Sequence, residues 1–304
     1  RTAAQAPCTD PNSAKFDYPA WTFGLDYRVS DQVFVYAKTS GASMSGGFNS
    51  RTVPAPFTLQ FAPEKVRDAE IGFKGDFLDR RLRTNLALFA ARQSNVQRIV
   101  NALVGTSLTQ FVTNSGKVNA KGFEFEATAL PFEGLELTGS LAYLDANYKK
   151  GSRFENQGTN AAPILVDRAN EPGTQAPKWT ANIGATQTFN VGVGDLAVHA
   201  DYAYIGKRAM DAFTTRSLAQ GGNQANIDAV AIGNRASIIR GYGLLNARVS
   251  LQLEEPDLEL ALWGRNLADQ PWFTNVFNNY TGLGATVQFQ GAPRTYGASA
   301  TFRF

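Results

Sequence analysis

WTANIGATQTF at 179–189 reads with a period of two. Trp179, Ala181, Ile183, Ala185 and Phe189 share one face, interrupted only by Gln187. Thr180, Asn182, Gly184, Thr186 and Thr188 share the other. Successive side chains of a β-strand point to opposite faces, so this strand is apolar on one side and polar on the other. At about 3.3 Å per residue and a tilt near 40°, Trp179 and Phe189 lie roughly 25 Å apart along a membrane normal. That is the height of the apolar band of a transmembrane barrel, with aromatic residues at both interfaces. Strands of soluble sandwiches are usually nearer five or six residues.

The pattern recurs. Trp21, Phe23, Leu25, Tyr27 and Val29 oppose Thr22, Gly24, Asp26 and Arg28. Leu196, Val198, Ala200, Tyr202 and Tyr204 oppose His199 and Asp201. Leu245 to Leu253 and Tyr296 to Phe304 behave alike, with Arg248 and Arg303 on their polar faces. The charges of these strands fall on one face each time, which a water-filled or protein-filled lumen accepts.

Composition agrees. The 304 residues include 21 Phe, 10 Tyr, 4 Trp and 28 Gly, but only 2 Met and 1 His, a balance that favours strand over helix. An all-β barrel of this length is compatible with one domain. There is no apolar run of about 18 residues, hence no transmembrane helix, and alternation hides a barrel from windowed hydropathy. The net charge of +3, with no basic run, argues against a nucleic-acid or anionic-membrane partner. Cys8 is the sole cysteine, so it forms no internal disulfide, and no His or Cys lies nearby to build a metal site. The chain begins at Arg1 without a signal peptide, which places the export signal of an exported protein outside it.

The alternation predicts about eleven strands, at 20–29, 33–40, 67–78, 83–100, 117–131, 135–148, 178–190, 195–208, 241–255, 257–268 and 295–304. Short turns (30–32, 79–82, 132–134, 191–194 and Pro256) alternate with long connections at 41–66, 101–116, 149–177, 209–240 and 269–294. Short periplasmic turns and long extracellular loops are the asymmetry of outer-membrane barrels. Glycine-rich NVGVGD at 190–195 lacks phosphate-loop spacing and reads as a hairpin turn. The fold expected is all-β: a transmembrane antiparallel up-and-down barrel. An odd strand count does not close a single-chain bacterial barrel, so either a strand is missed, with Leu108–Thr113 a weak candidate, or the chain is incomplete.

Five segments carry a resemblance: VFVYAKTSGASMSGGFN at 33–49, APEKVRDAEIGFKGDFLDRRLRTNLALF at 62–89, TNSGKVNAKGFEFEATALP at 113–131, GRNLADQPWF at 264–273 and PRTYGASATFRF at 293–304. In that order they resemble the C-terminal half of TonB-dependent outer-membrane receptors, over residues 20 to 304. The resemblance implies a 22-stranded barrel around an N-terminal plug. Residues 1–304 are then a single C-terminal barrel portion of about 11 strands, with plug, TonB box and first strands outside it. It also implies location in the bacterial outer membrane and a transporter rather than an enzyme. Such a transporter takes up a scarce ligand, an iron–siderophore above all, with energy coupled through TonB. Its partners are the siderophore, TonB, the plug in the lumen and outer-membrane lipid. It needs no cofactor or resident metal, since ferric ion arrives inside the ligand. The alternative is a passive porin-like channel; a barrel enzyme ranks below it.

Two groups of residues are candidates for function. On the lumen side, Glu124 and Glu126 share a face, with Glu70, Lys74 and Asp76 on an earlier strand. A catalytic carboxylate pair is conceivable, but a polar wall facing plug and water is the better reading. His199 and Asp201 lack a nucleophile motif and read as a lumen hydrogen bond. No catalytic residue is assigned. On the loops, Phe48, Arg51, Phe57, Phe213, Arg216, Arg235, Trp272, Asn278 and Tyr280 supply the aromatic and cationic groups that suit an anionic aromatic chelate. An equal alternative is that Trp272 and Phe273 belong to the interface girdle and the loops simply pack together.

Overall fold

The structure is a computed structural model. It describes residues 12–50, 53–104, 107–156, 165–210, 228, 231–233, 235–279 and 284–303. The chain starts with β1 (Trp21–Arg28), β2 (Val33–Met44), and a short pair, β3 (Gly47–Phe48) and β4 (Gln60–Phe61). Then come β5 (Glu64–Phe77), β6 (Leu82–Ser94), β7 (Gln97–Val104) and β8 (Ser107–Asn114). The middle holds β9 (Lys117–Ala129), β10 (Leu135–Tyr148), β11 (Arg153–Asn156), β12 (Leu165–Asp167), β13 (Trp179–Asn190) and β14 (Gly194–Ile205). The last third holds β15 (Arg208–Ala209), β16 (Ile238–Ile239), β17 (Tyr242–Leu253), β18 (Leu258–Arg265), β19 (Phe273–Asn279), β20 (Ala285–Gln290) and β21 (Thr295–Phe302).

Eleven strands form one antiparallel sheet in the order β1-β2-β5-β6-β9-β10-β13-β14-β17-β18-β21. Each strand pairs with the next wall strand in sequence, which is the up-and-down meander that the alternation predicts. Each of the eleven predicted strands therefore contributes one wall strand. The turns between them are tight: Val191 N–H donates to Gly194 O at 2.9 Å, and Gly192 takes φ +83°, where a side chain is disfavoured.

Register carries the face assignment from strand to strand. Ile183 lies opposite Tyr202 and Gly139; Tyr202 lies opposite Leu245. Followed across the sheet, every apolar face of the sequence falls on the same side. Leu25, Ile183 and Leu262 are 82%, 64% and 66% exposed, values that only a lipid solvent explains for such side chains. No helix among the described residues is long and apolar enough to cross a membrane, which says nothing of a barrel.

The five long connections carry structure that alternation did not reveal. Each contains a two-stranded sheet: β3-β4, β7-β8, β11-β12, β15-β16 and β19-β20. The predicted strand 83–100 is two elements. It leaves the wall at Ser94, Asn95 turns with φ +54°, and β7 begins a separate hairpin. Leu108–Thr113 is a strand, but it belongs to that hairpin and adds nothing to the wall count. Likewise Asn266 (φ +50°) ends β18 at Arg265, short of the predicted 268.

Apolar cores sit in this loop layer rather than in the wall. One groups Val96, Val100 and Phe111 of the loops with Val118 and Tyr148 at the loop-side ends of β9 and β10; the other groups Ile239 and Val276 with Tyr242 at the loop-side end of β17.

Candidate functional site

The lumen face of β2 and β5 is a hydrogen-bonded lattice. The Tyr36 hydroxyl donates to Glu70 at 2.6 Å, and Lys38 Nζ lies 3.0 Å from the same carboxylate. Asp68 accepts from the Ser40 backbone N–H at 2.9 Å and from its hydroxyl. Tyr36 reaches Glu70 because its ring crosses Gly72, where an added Cβ would lie 2.2 Å from the ring. Lys74 shares this face, opposite Phe34. Glu124 and Glu126 are on β9, and β6 lies between them and Glu70. Glu126 accepts from Asn85 at 3.4 Å. The acids line a shared wall and do not converge on a substrate-sized point.

His199 is held at both nitrogens. Nδ1 is 2.9 Å from the Thr186 hydroxyl, directly across the β13–β14 register, and Nε2 is 3.3 Å from Asp201. Asn246 donates to the other Asp201 oxygen at 2.8 Å and accepts from Asn266 N–H at 3.1 Å. Buried Asn266 in turn donates to Gln270 O and Ala292 O and accepts from Gln270 N–H. A polar ladder thus climbs from the wall to the base of the last loop. The Asn-Leu-Ala-Asp stretch at 266–269 is its upper anchor, since Asp269 also accepts from Arg294 N–H at 3.0 Å.

Above the wall, the loops holding β15-β16 and β19-β20 form a cleft of about 490 Å³. Arg235, Arg240, Tyr242, Gln270, Trp272 and Gln288 line it. Trp272 and Tyr242 rings sit 5.3 Å apart, and Arg208 lies over Tyr242 at 5.5 Å. Trp272 donates through its indole to Ala292 O at 3.0 Å. Its ring lies on Gly291, where an added Cβ would come within 2.0 Å. Arg235 and Arg240 are exposed. Aromatic faces, amides and two free-standing cations can hold an anionic, partly aromatic molecule.

Of the loop candidates, Arg235 and Trp272 meet in this cleft, and Asn278 packs nearby against Gly233. Phe48 and Phe57 lie in another sector: Phe48 is in the β3-β4 pair, and the Phe57 ring packs on Phe111 at 5.0 Å. Arg51, Phe213, Arg216 and Tyr280 lie outside the described residues. Arg240, Tyr242, Gln270 and Gln288 escaped the sequence reading. Only the hint of Arg240-Gly-Tyr at a strand entrance was visible for two of them. Among the described residues no group of three His, Cys, Asp or Glu is placed to hold a metal.

The chain belongs to the TonB-dependent receptor barrel family: the family model described as "TonB dependent receptor-like, beta-barrel" matches residues 2–267. Among its relatives, the ferrichrome outer membrane transporter/phage receptor of Escherichia coli (strain K12) is 25% identical over 285 residues, 93% of this chain and 32% of that protein. The metal-pseudopaline receptor CntO of Pseudomonas aeruginosa is 30% identical over 148 residues, 47% of this chain and 20% of that protein. In fold, the ferric yersiniabactin uptake receptor FyuA of Yersinia pestis superimposes with a TM-score of 0.68 at 16% identity, covering 93% of this chain and 37% of that one. This chain spans about a third of the length of the ferrichrome transporter and of FyuA. It is a bacterial outer-membrane β-barrel chain of a family of receptors and transporters.

Proposed function

We propose that this chain forms part of an active outer-membrane transporter that takes up an iron–siderophore complex, with energy coupled through TonB. The observation that carries the reading is the rim cleft, which sets Trp272 and Tyr242 beside the exposed Arg235 and Arg240 above a charged lumen wall. Relatives named for ferrichrome and for catecholate siderophores support the ligand class. The eleven-strand sheet has β1 and β21 as its edges. Unpaired strand edges are not tolerated in hydrocarbon, so further strands complete the barrel; the plug of its lumen is what the resemblance to the receptor family implies. The polar ladder through His199, Asp201 and Asn246 and the lattice around Glu70 are then plug-facing contacts, not catalytic groups.

The test is growth of a deletion strain on defined ferric siderophores, complemented by the complete gene with and without a functional TonB. Uptake that persists without TonB sinks the reading and favours a passive channel. In the complemented strain, Trp272→Ala with Arg235→Gln weakens binding of the transported chelate about tenfold or more, as loss of a central aromatic–arginine anchor does.

A further inference from the structure

Trp272 gives the rim cleft its broadest aromatic face, and its orientation is set from beneath the cleft rather than from within it. The indole Nε1–H donates to Ala292 O at 3.0 Å, Trp272 O accepts from Gly291 N–H at 2.9 Å, and the ring lies across Gly291. A carbonyl oxygen has two lone pairs, and that of Ala292 has a second donor, Asn266 Nδ2, at 3.3 Å. One carbonyl therefore joins the aromatic face of the cleft to a side chain that does not line it.

Asn266 is 4% exposed, and each of its polar groups is used. Its N–H donates to Asn246 Oδ1 at 3.1 Å, and its C=O accepts from Asp269 N–H at 2.8 Å. Oδ1 accepts from Gln270 N–H at 2.9 Å, and Nδ2 also donates to Gln270 O at 3.0 Å. The side-chain amide is thus clamped on both sides by the backbone of Gln270, which leaves its remaining hydrogen one direction, toward Ala292 O. Below, Asn246 donates to Asp201 on the lumen wall at 2.8 Å. A side chain held in this way is a fixed point, and the return segment of the last loop, with Gly291 and Ala292, hangs from it.

The chemistry of the position selects asparagine. Its φ is +50°, a region open to Asn, Asp and Gly, so backbone conformation alone would accept any of the three. Only Asn offers both an acceptor for Gln270 N–H and two donors for the facing carbonyls. Asp would turn lone pairs toward Gln270 O and Ala292 O. Gly would leave the Ala292 carbonyl to the indole alone. The site therefore demands the amide itself.

We infer that Asn266 is a positioning residue of the rim cleft: through the shared Ala292 carbonyl it sets the plane in which Trp272 meets an anionic chelate. This role rests on the reading of the cleft as the chelate site. A binding group keeps its productive orientation only when a second layer of contacts fixes its rotamer. Loss of that layer is felt as affinity, because the ordering cost then falls on binding, although nothing that touches the chelate has changed.

The test uses the complete receptor and ferric tris-catecholate as the probe. Its Kd is measured by equilibrium dialysis on the protein purified in dodecyl maltoside, and its uptake KM and maximal rate in TonB-competent cells. Asn266→Gly should raise Kd and KM about fivefold to tenfold, the worth of one ordering hydrogen bond, with the maximal rate per receptor unchanged. Asn266→Asp should do at least as much. Thr274→Val, which removes the hydrogen bond to Phe289 O in the same hairpin, should leave Kd unchanged. In a Trp272→Ala background, Asn266→Gly should change Kd less than about twofold, because residues that act through one another do not add. Heat-modifiable gel mobility verifies that each variant folds. An unchanged Kd in Asn266→Gly, multiplicative effects of the two substitutions, an equal loss in Thr274→Val, or a fall in maximal rate with KM unchanged would overturn the assignment. No binding of the probe by the native protein, or equal binding by Trp272→Ala, would instead sink the reading of the cleft, and the role of Asn266 with it.

Discussion

Ile183 in the wall is 64% exposed, and Phe111 in the loop layer is 2% exposed. Both are large apolar side chains on antiparallel strands. The difference lies in the solvent that each strand meets. The wall is a single sheet whose outer face is dissolved in lipid tails, so it needs no packed core. The loop layer stands in water and must bury its apolar residues against one another. Phe111 does so with Val96, Val100, Val118 and Tyr148, and with the Phe57 ring. One chain thus uses the same secondary structure under two opposite rules of burial.

That contrast can be broken at either end. Phe111→Ala leaves a cavity in the loop core and should cost that layer about 3–5 kcal/mol. Hydrogen exchange should then accelerate across β7 and β8 while wall amides stay protected; equal loss in both would mean that the layers are not separate. In the wall, Ile183→Arg sets a charge near the middle of the apolar band and should cost about 2–4 kcal/mol, read as a shift in urea unfolding in lipid vesicles. Asn266→Ala probes the junction of the two regions. It strips Gln270 N–H and two carbonyls of their buried partner, for about 1–3 kcal/mol. Faster exchange confined to 266–270 and 292–294 is the expected signature. The smallest effect belongs to Asn182→Arg, one residue from Ile183 but on the lumen side, which should change stability by no more than about 0.5 kcal/mol. If the two neighbouring arginines behaved alike, the assignment of faces would be wrong.

The wall was legible because its information is local. A period of two needs no knowledge of partners, and the tight turns at Gly192 and Gly134 are written in φ-permissive residues. Strand ends in the wall were less legible. The predicted strand runs on to residue 100, but Asn95 turns the chain out of the sheet after Ser94, and the polar residues around it do not by themselves mark a change of pairing partner. The site was half legible. Arg235 and Trp272 were readable as residue types suited to a chelate, whereas Arg240, Gln270 and Gln288 join them only because two loops far apart in sequence lean together.

The support of Trp272 makes the same point most sharply. Asn266 is legible as part of the Asn-Leu-Ala-Asp stretch, but nothing in the sequence pairs it with Asn246 or Ala292. They come together through the pairing of strands and the packing of the last loop. The ladder at His199 does so in part: Asp201 is its neighbour on β14, but Thr186 and Asn246 join from β13 and β17 through register.

Side-chain direction along a strand follows from backbone geometry, so the amino-acid sequence alone determined the wall: its strands, their two faces and their order in a meander. Contacts between strands depend on register, and contacts between loops on packing. Both are sums over residues distant in the chain, and so only the tertiary structure decided the loop cores, the rim cleft and the support of Trp272 beneath it.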